Sequence, residues 1–129
     1  MTYERQPSRS SRKTVLIVED EPLIAYDLVS EIESEDHVVV GQCNTAVEAI
    51  SLCDQLRPDV VVMDIGLLGD RTGLDAARTI RESFDIGSIF VSATLDRVRP
   101  DDWDGIRPID RIRKPYRDQA LAKAISSVP

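Results

Sequence analysis

The sequence predicts a doubly wound α/β domain, a parallel sheet with helices on both faces. Short β-forming runs alternate with stretches of helical apolar spacing along the chain. The runs are continuous in valine, as in strands buried on both faces. The length, 129 residues with 42% apolar content, suits one domain with a single core.

The first strand is "TVLIV" (14–18). A helix follows, with Pro22 in its first turn, where a missing N–H is harmless. Ile24, Leu28 and Ile32 recur on one face of it, with Leu23 and Val29 beside them. "HVVVG" (37–41) is the second strand, closed by Gly41. "NTAVEAISLCDQL" (44–56) is a helix that Asn44 can cap, with Val47, Ile50, Cys53 and Leu56 as its apolar stripe.

"DVVVMD" (59–64) is the third strand, and a glycine-containing loop leads from it to the helix "LDAARTIRESF". "GSIFVS" (87–92) is the fourth strand and "PIDRI" (108–112) a weaker fifth. Between them Pro100 and Gly105 interrupt any long helix, leaving a short one around 96–104. "RDQALAKAISSV" (117–128) closes the chain as a helix with Ala120, Leu121, Ala124 and Ile125 facing inward.

Residues 1–13 carry Arg5, Arg9, Arg12 and Lys13 against Glu4 alone, without apolar periodicity, and read as a disordered basic tail before a folded domain at 14–128. A net charge of −7 argues against non-specific nucleic-acid binding. No apolar run reaches the length of a membrane span, and no signal-peptide core follows the start. Cys43 and Cys53 lack the spacing of a zinc site or a disulfide framework, and read as small buried side chains in a reducing cytoplasm.

Open parallel sheets bind ligands beyond the carboxyl ends of their strands. There the chain places Glu19, Asp20 and Glu21 after strand one and Asp64 after strand three. Ser92 and Thr94 follow strand four, and Lys114 follows strand five. Strand two offers only Gly41, Gln42 and Cys43, which makes it an edge. Crowded carboxylates raise one another's pKa or demand a cation. A hard divalent ion such as Mg²⁺ fits, because it takes oxygen ligands and needs only one or two carboxylates. Carboxylate, cation, ammonium and hydroxyl together make a kit for phosphoryl transfer, with the carboxylate as nucleophile.

The segments "VLIVEDEPLIA", "PDVVVMDIGL", "IFVSAT" and "RKPY", in this order and spacing, resemble the receiver domain of bacterial two-component response regulators. The resemblance runs from about Lys13 to Ser127. It implies a flavodoxin-like sheet of order 2-1-3-4-5, with Asp64 as the phospho-accepting aspartate. It further implies that Asp20 and the backbone carbonyl of Gly66 ligate Mg²⁺, while Glu19 acts through a water. Ser92 takes the hydroxyl position beside the phosphoryl group, Lys114 pairs with that group, and the Lys114–Pro115 bond is cis. Ala93 and Thr94 adjoin the hydroxyl, and Gly66 and Thr94 flank the site and tune water access.

The chain departs from the family pattern in having Glu19 where Asp is common. It also has Arg111 where an aromatic normally reports phosphorylation by turning inward. Receivers without that aromatic resemble those paired with HWE-class sensor kinases. The expected partners are a sensor histidine kinase or phosphotransfer protein and a downstream protein. Nothing resembling an output or DNA-binding domain follows Pro129, so the expectation is a stand-alone cytoplasmic receiver that signals by contact or acts as a phosphate sink.

Two other readings compete with this one. A phosphatase of the haloacid-dehalogenase type also forms an aspartyl phosphate, but it needs a second acid two residues after the nucleophile, where this chain has Gly66. A pseudo-receiver would bind partners without phosphorylation, against which the intact set Asp20, Asp64, Ser92 and Lys114 argues. A nucleotide or flavin domain would need a glycine-rich loop after strand one, and none is there.

Overall fold

The computed structural model describes residues 12–65, 72–117 and 119–129. Its elements are β1 (Thr14–Val18), α1 (Pro22–Ser34), β2 (Val38–Cys43), α2 (Ala46–Leu56), β3 (Val60–Met63), α3 (Gly73–Phe84), β4 (Gly87–Ser92), β5 (Asp110–Arg113) and α4 (Ala120–Ser126). The five strands form one parallel sheet in the order β2-β1-β3-β4-β5. Every residue of β3 and β4 is buried, as suits the continuous apolar run of β3 and the Ile89–Val91 centre of β4, and Ser88 and Ser92 are buried with them.

Alternation along the strands divides the interior into two layers. Val15 and Ile17 of β1 join Val60, Val62, Ile89 and Val91 under α1 and α4. Leu16, Val18, Val61, Met63 and Phe90 face α2 and α3 on the other side. Each layer fixes its helices by burial, so the strand ends between them sit on a rigid frame.

Several elements differ from the sequence reading. Helix α1 buries Ala25, Leu28 and Ile32, while Leu23 and Ile24 face solvent. Helix α2 is capped by Thr45, whose side chain accepts from the Glu48 N–H at 3.2 Å, so Asn44 stands outside it. Its buried stripe is Ala46, Ala49 and Cys53, because small residues let the helix approach the sheet closely; Val47 and Leu56 are exposed. Strand β2 runs past Gly41 to Cys43, and β5 begins at Asp110 and includes Arg113.

In place of a short helix around 96–104 there are two 3-10 turns, Leu95–Arg97 and Pro100–Trp103. Helix α4 begins only at Ala120, after Gln119 in the left-handed region (φ 71°), and buries Leu121, Ala122, Ala124 and Ile125. Lys13, which the sequence assigns to the tail, is buried, and its carbonyl accepts from the Val38 N–H at 2.9 Å. The rest of the expected tail, except Arg12, lies outside the described residues.

Candidate functional site

The main chain brings the acids together. The Asp64 N–H donates to the Val18 carbonyl (3.1 Å), and the Glu19 N–H to the Cys43 carbonyl (3.0 Å), so both residues emerge from adjoining strand ends. One carboxylate oxygen from each of Glu19, Asp20 and Asp64 falls within 4.8 Å of the others. Glu19 is almost fully buried, and its Oε2 accepts the Asp20 N–H at 2.9 Å. Its Oε1 lies 3.4 Å from Nζ of Lys114, which arrives from the far end of β5.

Burial is the main cause that pushes the Glu19 carboxyl up to about 7, with the hydrogen bond and the negative charge of Asp64 adding to it. Lys114 opposes the rise without cancelling it. The rise at Glu19 reflects a buried carboxyl facing a second acid with one lysine to offset them. The donor set is all carboxylate oxygen, so a hard divalent cation fits it and relieves that repulsion. Gly66, whose carbonyl completes the expected ligand set, lies outside the described residues.

Ser92, at the end of β4, is buried, and its Oγ accepts the Thr94 N–H at 3.1 Å and lies 3.1 Å from Thr94 Oγ1. Ala93 between them is exposed. The Lys114 N–H donates to the Ser92 carbonyl at 3.1 Å, so β4 and β5 deliver hydroxyl and ammonium side by side. The Lys114–Pro115 bond is cis.

Arg111 is exposed, with its guanidinium 5.0 Å from the centre of the Trp103 ring. Trp103 in turn meets Phe90 of β4 edge-on, with centroids 4.9 Å apart. An aromatic thus stands over this part of the sheet, supplied by the β4–β5 connection instead of β5. The sequence had placed Trp103 only in its least readable stretch.

Gly73 was also missed. Its N–H donates to the Ile65 carbonyl at 3.0 Å, and a Cβ there would overlap the Asp64 carbonyl oxygen. Helix α3 can start against the main chain of Asp64 only because that residue has no side chain. Cys53 is buried as read, whereas Cys43 is only half-buried; burial pushes Cys43 up to about 11 and Cys53 up to about 12, far from thiolate chemistry.

The chain matches the family described as response regulator receiver domain over residues 15–126. It is 34% identical over 117 residues to the phyllosphere-induced regulator PhyR of Methylorubrum extorquens, covering 87% of this chain and 42% of that protein, so it spans well under half of that relative. It is 31% identical over 119 residues to protein PilH of Pseudomonas aeruginosa, covering 88% of this chain and 95% of PilH. Among solved structures, the signal receiver domain of a modulated diguanylate cyclase from Desulfovibrio desulfuricans superposes with a TM-score of 0.80 at 27% identity, covering 91% and 93% of the two chains. Sheet order, acidic strand ends and these matches agree: the chain belongs to the receiver domains of two-component response regulators.

Proposed function

We propose that the chain accepts a phosphoryl group on Asp64 from a histidine kinase or phosphotransfer protein, and that the modification changes its contacts with a protein partner. One observation carries the reading. Three carboxylates converge within 4.8 Å at strand ends, with the Lys114 ammonium 3.4 Å from the innermost of them. A static acidic patch has no need of that expense in repulsion; a site for a metal and a phosphoryl group does.

In this reading a carboxylate oxygen of Asp64 attacks the phosphorus of a phosphohistidine. The N–P bond breaks as the O–P bond forms, and the leaving imidazole takes up a proton. Lys114 swings from Glu19 toward the incoming phosphoryl oxygens and neutralises part of their charge. The Ser92 hydroxyl, held by Thr94, stands ready to donate to one of those oxygens. Asp20, Asp64 and the Gly66 carbonyl would hold Mg²⁺, with Glu19 acting through a water. The bound cation would supply neutralising charge.

Chemistry beyond phosphoryl acceptance and slow loss of the group is not part of the proposal. The donor is placed with HWE-class kinases because Arg111 replaces the usual aromatic. Among the described residues no helix is long and apolar enough to cross a membrane, which fits the proposed cytoplasmic setting.

Incubation with acetyl phosphate and Mg²⁺ should add one base-labile phosphoryl group by mass, and Asp64→Asn should abolish it. No adduct, even with a cognate kinase present, would favour a pseudo-receiver that works by binding alone. Continuous hydrolysis of an added phosphate ester would favour a phosphatase.

A further inference from the structure

The connection from β4 to β5 closes its own turns and is tied to the rest of the fold by two arginines of α3. Arg78 of α3 donates from Nη2 to the Asp102 carbonyl (2.7 Å) and from Nε to the Asp104 carbonyl (3.0 Å). Arg81, one turn on, donates from Nε to the Ile106 carbonyl (3.2 Å) and from Nη2 to the Arg107 carbonyl (2.6 Å). Two side chains of one helix thus satisfy four main-chain acceptors of the segment that carries Trp103. The segment also closes its own turns: the N–H groups of Arg97, Val98, Asp102, Asp104 and Ile106 donate to the carbonyls of Thr94, Leu95, Arg99, Asp101 and Trp103, and the Arg99 N–H donates to the Asp102 carboxylate (3.0 Å).

The other end of α3 touches the phosphoacceptor. The Gly73 N–H bonds the Ile65 carbonyl, and the Gly73 backbone lies directly against the carbonyl of Asp64. The helix is a stiff rod between the two. At its far side Trp103 rests on Phe90 and beneath Arg111, beside a groove of about 450 Å³ lined by Leu95, Val98, Pro100, Trp103, Arg111 and Arg113.

We propose that α3 is the relay of this receiver: a change at Asp64 displaces the start of α3 through Gly73, and Arg78 and Arg81 pass the displacement to the Trp103–Arg111 stack and its groove. The inference rests on phosphoryl acceptance by Asp64 and adds how that event is read in a chain with Arg111 in place of the aromatic. Guanidinium–carbonyl bonds suit the task because a planar fork fixes two acceptors in direction as well as distance. Coupling needs an element with two arrangements that the site can bias. The 95–107 segment, two short turns seated on the core through Leu95, Trp103 and Ile106, supplies it.

Trp103 is the sole tryptophan, so its emission reports the stack directly. The full chain is titrated with beryllofluoride and Mg²⁺, with occupancy followed by the ¹⁹F signal of bound fluoride and the stack by Trp103 emission. The unmodified chain should form the adduct and change its emission in step. Arg78→Lys keeps the charge but loses the planar fork that fixes both carbonyls in direction. It should reach the same occupancy at similar concentrations and lose most of the emission change; Arg81→Lys should do likewise. Overlay of the metal-free amide spectra of 95–107 shows that the resting segment survives each substitution. A bound-fluoride signal with undiminished emission change in both variants overturns the relay alone. No bound-fluoride signal in the unmodified chain overturns the relay together with the reading of the site.

Discussion

The two ends of the sheet are built on opposite electrostatic rules. At the amino ends polar groups close on one another. Asp59 Oδ2 accepts from both the N–H and the hydroxyl of Thr14 (2.8 and 3.0 Å), and its own N–H donates back to Thr14 Oγ1 (3.0 Å). His37 Nδ1 accepts the Lys13 N–H (3.0 Å), and Nε2 lies 3.2 Å from Ser126 Oγ of α4. At the carboxyl ends three acids face one another with a single lysine among them, and Glu19 is pushed up to about 7. The amino-end pairs close on one another as they stand, the buried Ser88 hydroxyl apart; the acidic corner is one that a cation would relieve. Stability and function are segregated by a strand's length, so a substitution should act in opposite senses at the two ends.

The largest effect is expected where the functional end depends on backbone. Gly73→Ala forces a methyl group against the Asp64 carbonyl oxygen, with no flexible side chain to give way. Overpacking of this kind costs about 1–3 kcal/mol. Chemical denaturation should show that loss, and phosphoryl acceptance from acetyl phosphate should fall with it because Asp64 is displaced. An Ala variant of unchanged stability and acceptance would show that α3 does not bear on the site.

Next in size is a gain. Asp20→Asn removes one of three clustered carboxylates and keeps an amide oxygen and an N–H donor beside Glu19. In metal-free buffer it should raise stability by about 0.5–2 kcal/mol, the usual return for relieving a functional site. It should also lose most of the stabilisation that Mg²⁺ confers on the unmodified chain. Thermal melts with and without Mg²⁺ read both; a metal-free variant less stable than its parent would remove the contrast between the two ends.

How much of this was legible in the sequence follows the same division. The acidic corner could be read because each residue sits at the end of a continuous apolar run, and burial on both faces leaves little doubt where such runs stop. The motifs at those ends carried the resemblance to receiver domains, and that resemblance implied the sheet order. The amino ends gave weaker signals: Lys13 looked like tail because a backbone carbonyl, not its side chain, ties it to Val38. Asn44 and Thr45 are adjacent and equally good caps, and only the helix start decides between them. The stripe of α2 was misplaced onto Val47 and Leu56 because close packing there favours alanine over bulk. The β4–β5 connection was least readable, since its acceptors are met by Arg78 and Arg81 from another element, which no local pattern announces.

The smallest effect belongs to the satisfied end and concerns pH. Burial holds the His37 imidazole below its ordinary 6.5, and the charge of Lys13 pushes the same way; the Ala122 carbonyl and the charges of Glu35 and Asp36 oppose it. Because Nδ1 accepts from the Lys13 N–H, the neutral ring carries its proton on Nε2 and donates to Ser126. Protonation would put a second donor opposite the Lys13 N–H and break that one bond beside the β1–β2 ladder. A group whose folded pKa is depressed contributes stability that is present above its unfolded value and lost as pH falls through the folded one. Unfolding free energy should therefore be level above pH 6.5 as far as His37 is concerned, and decline below it. Gln at this position keeps a polar side chain but has no proton to gain, so His37→Gln should flatten that part of the profile while leaving phosphoryl acceptance intact. If the decline persists unchanged in the Gln variant, it arises from carboxylates elsewhere, and the amino end is not the closed network its hydrogen bonds describe.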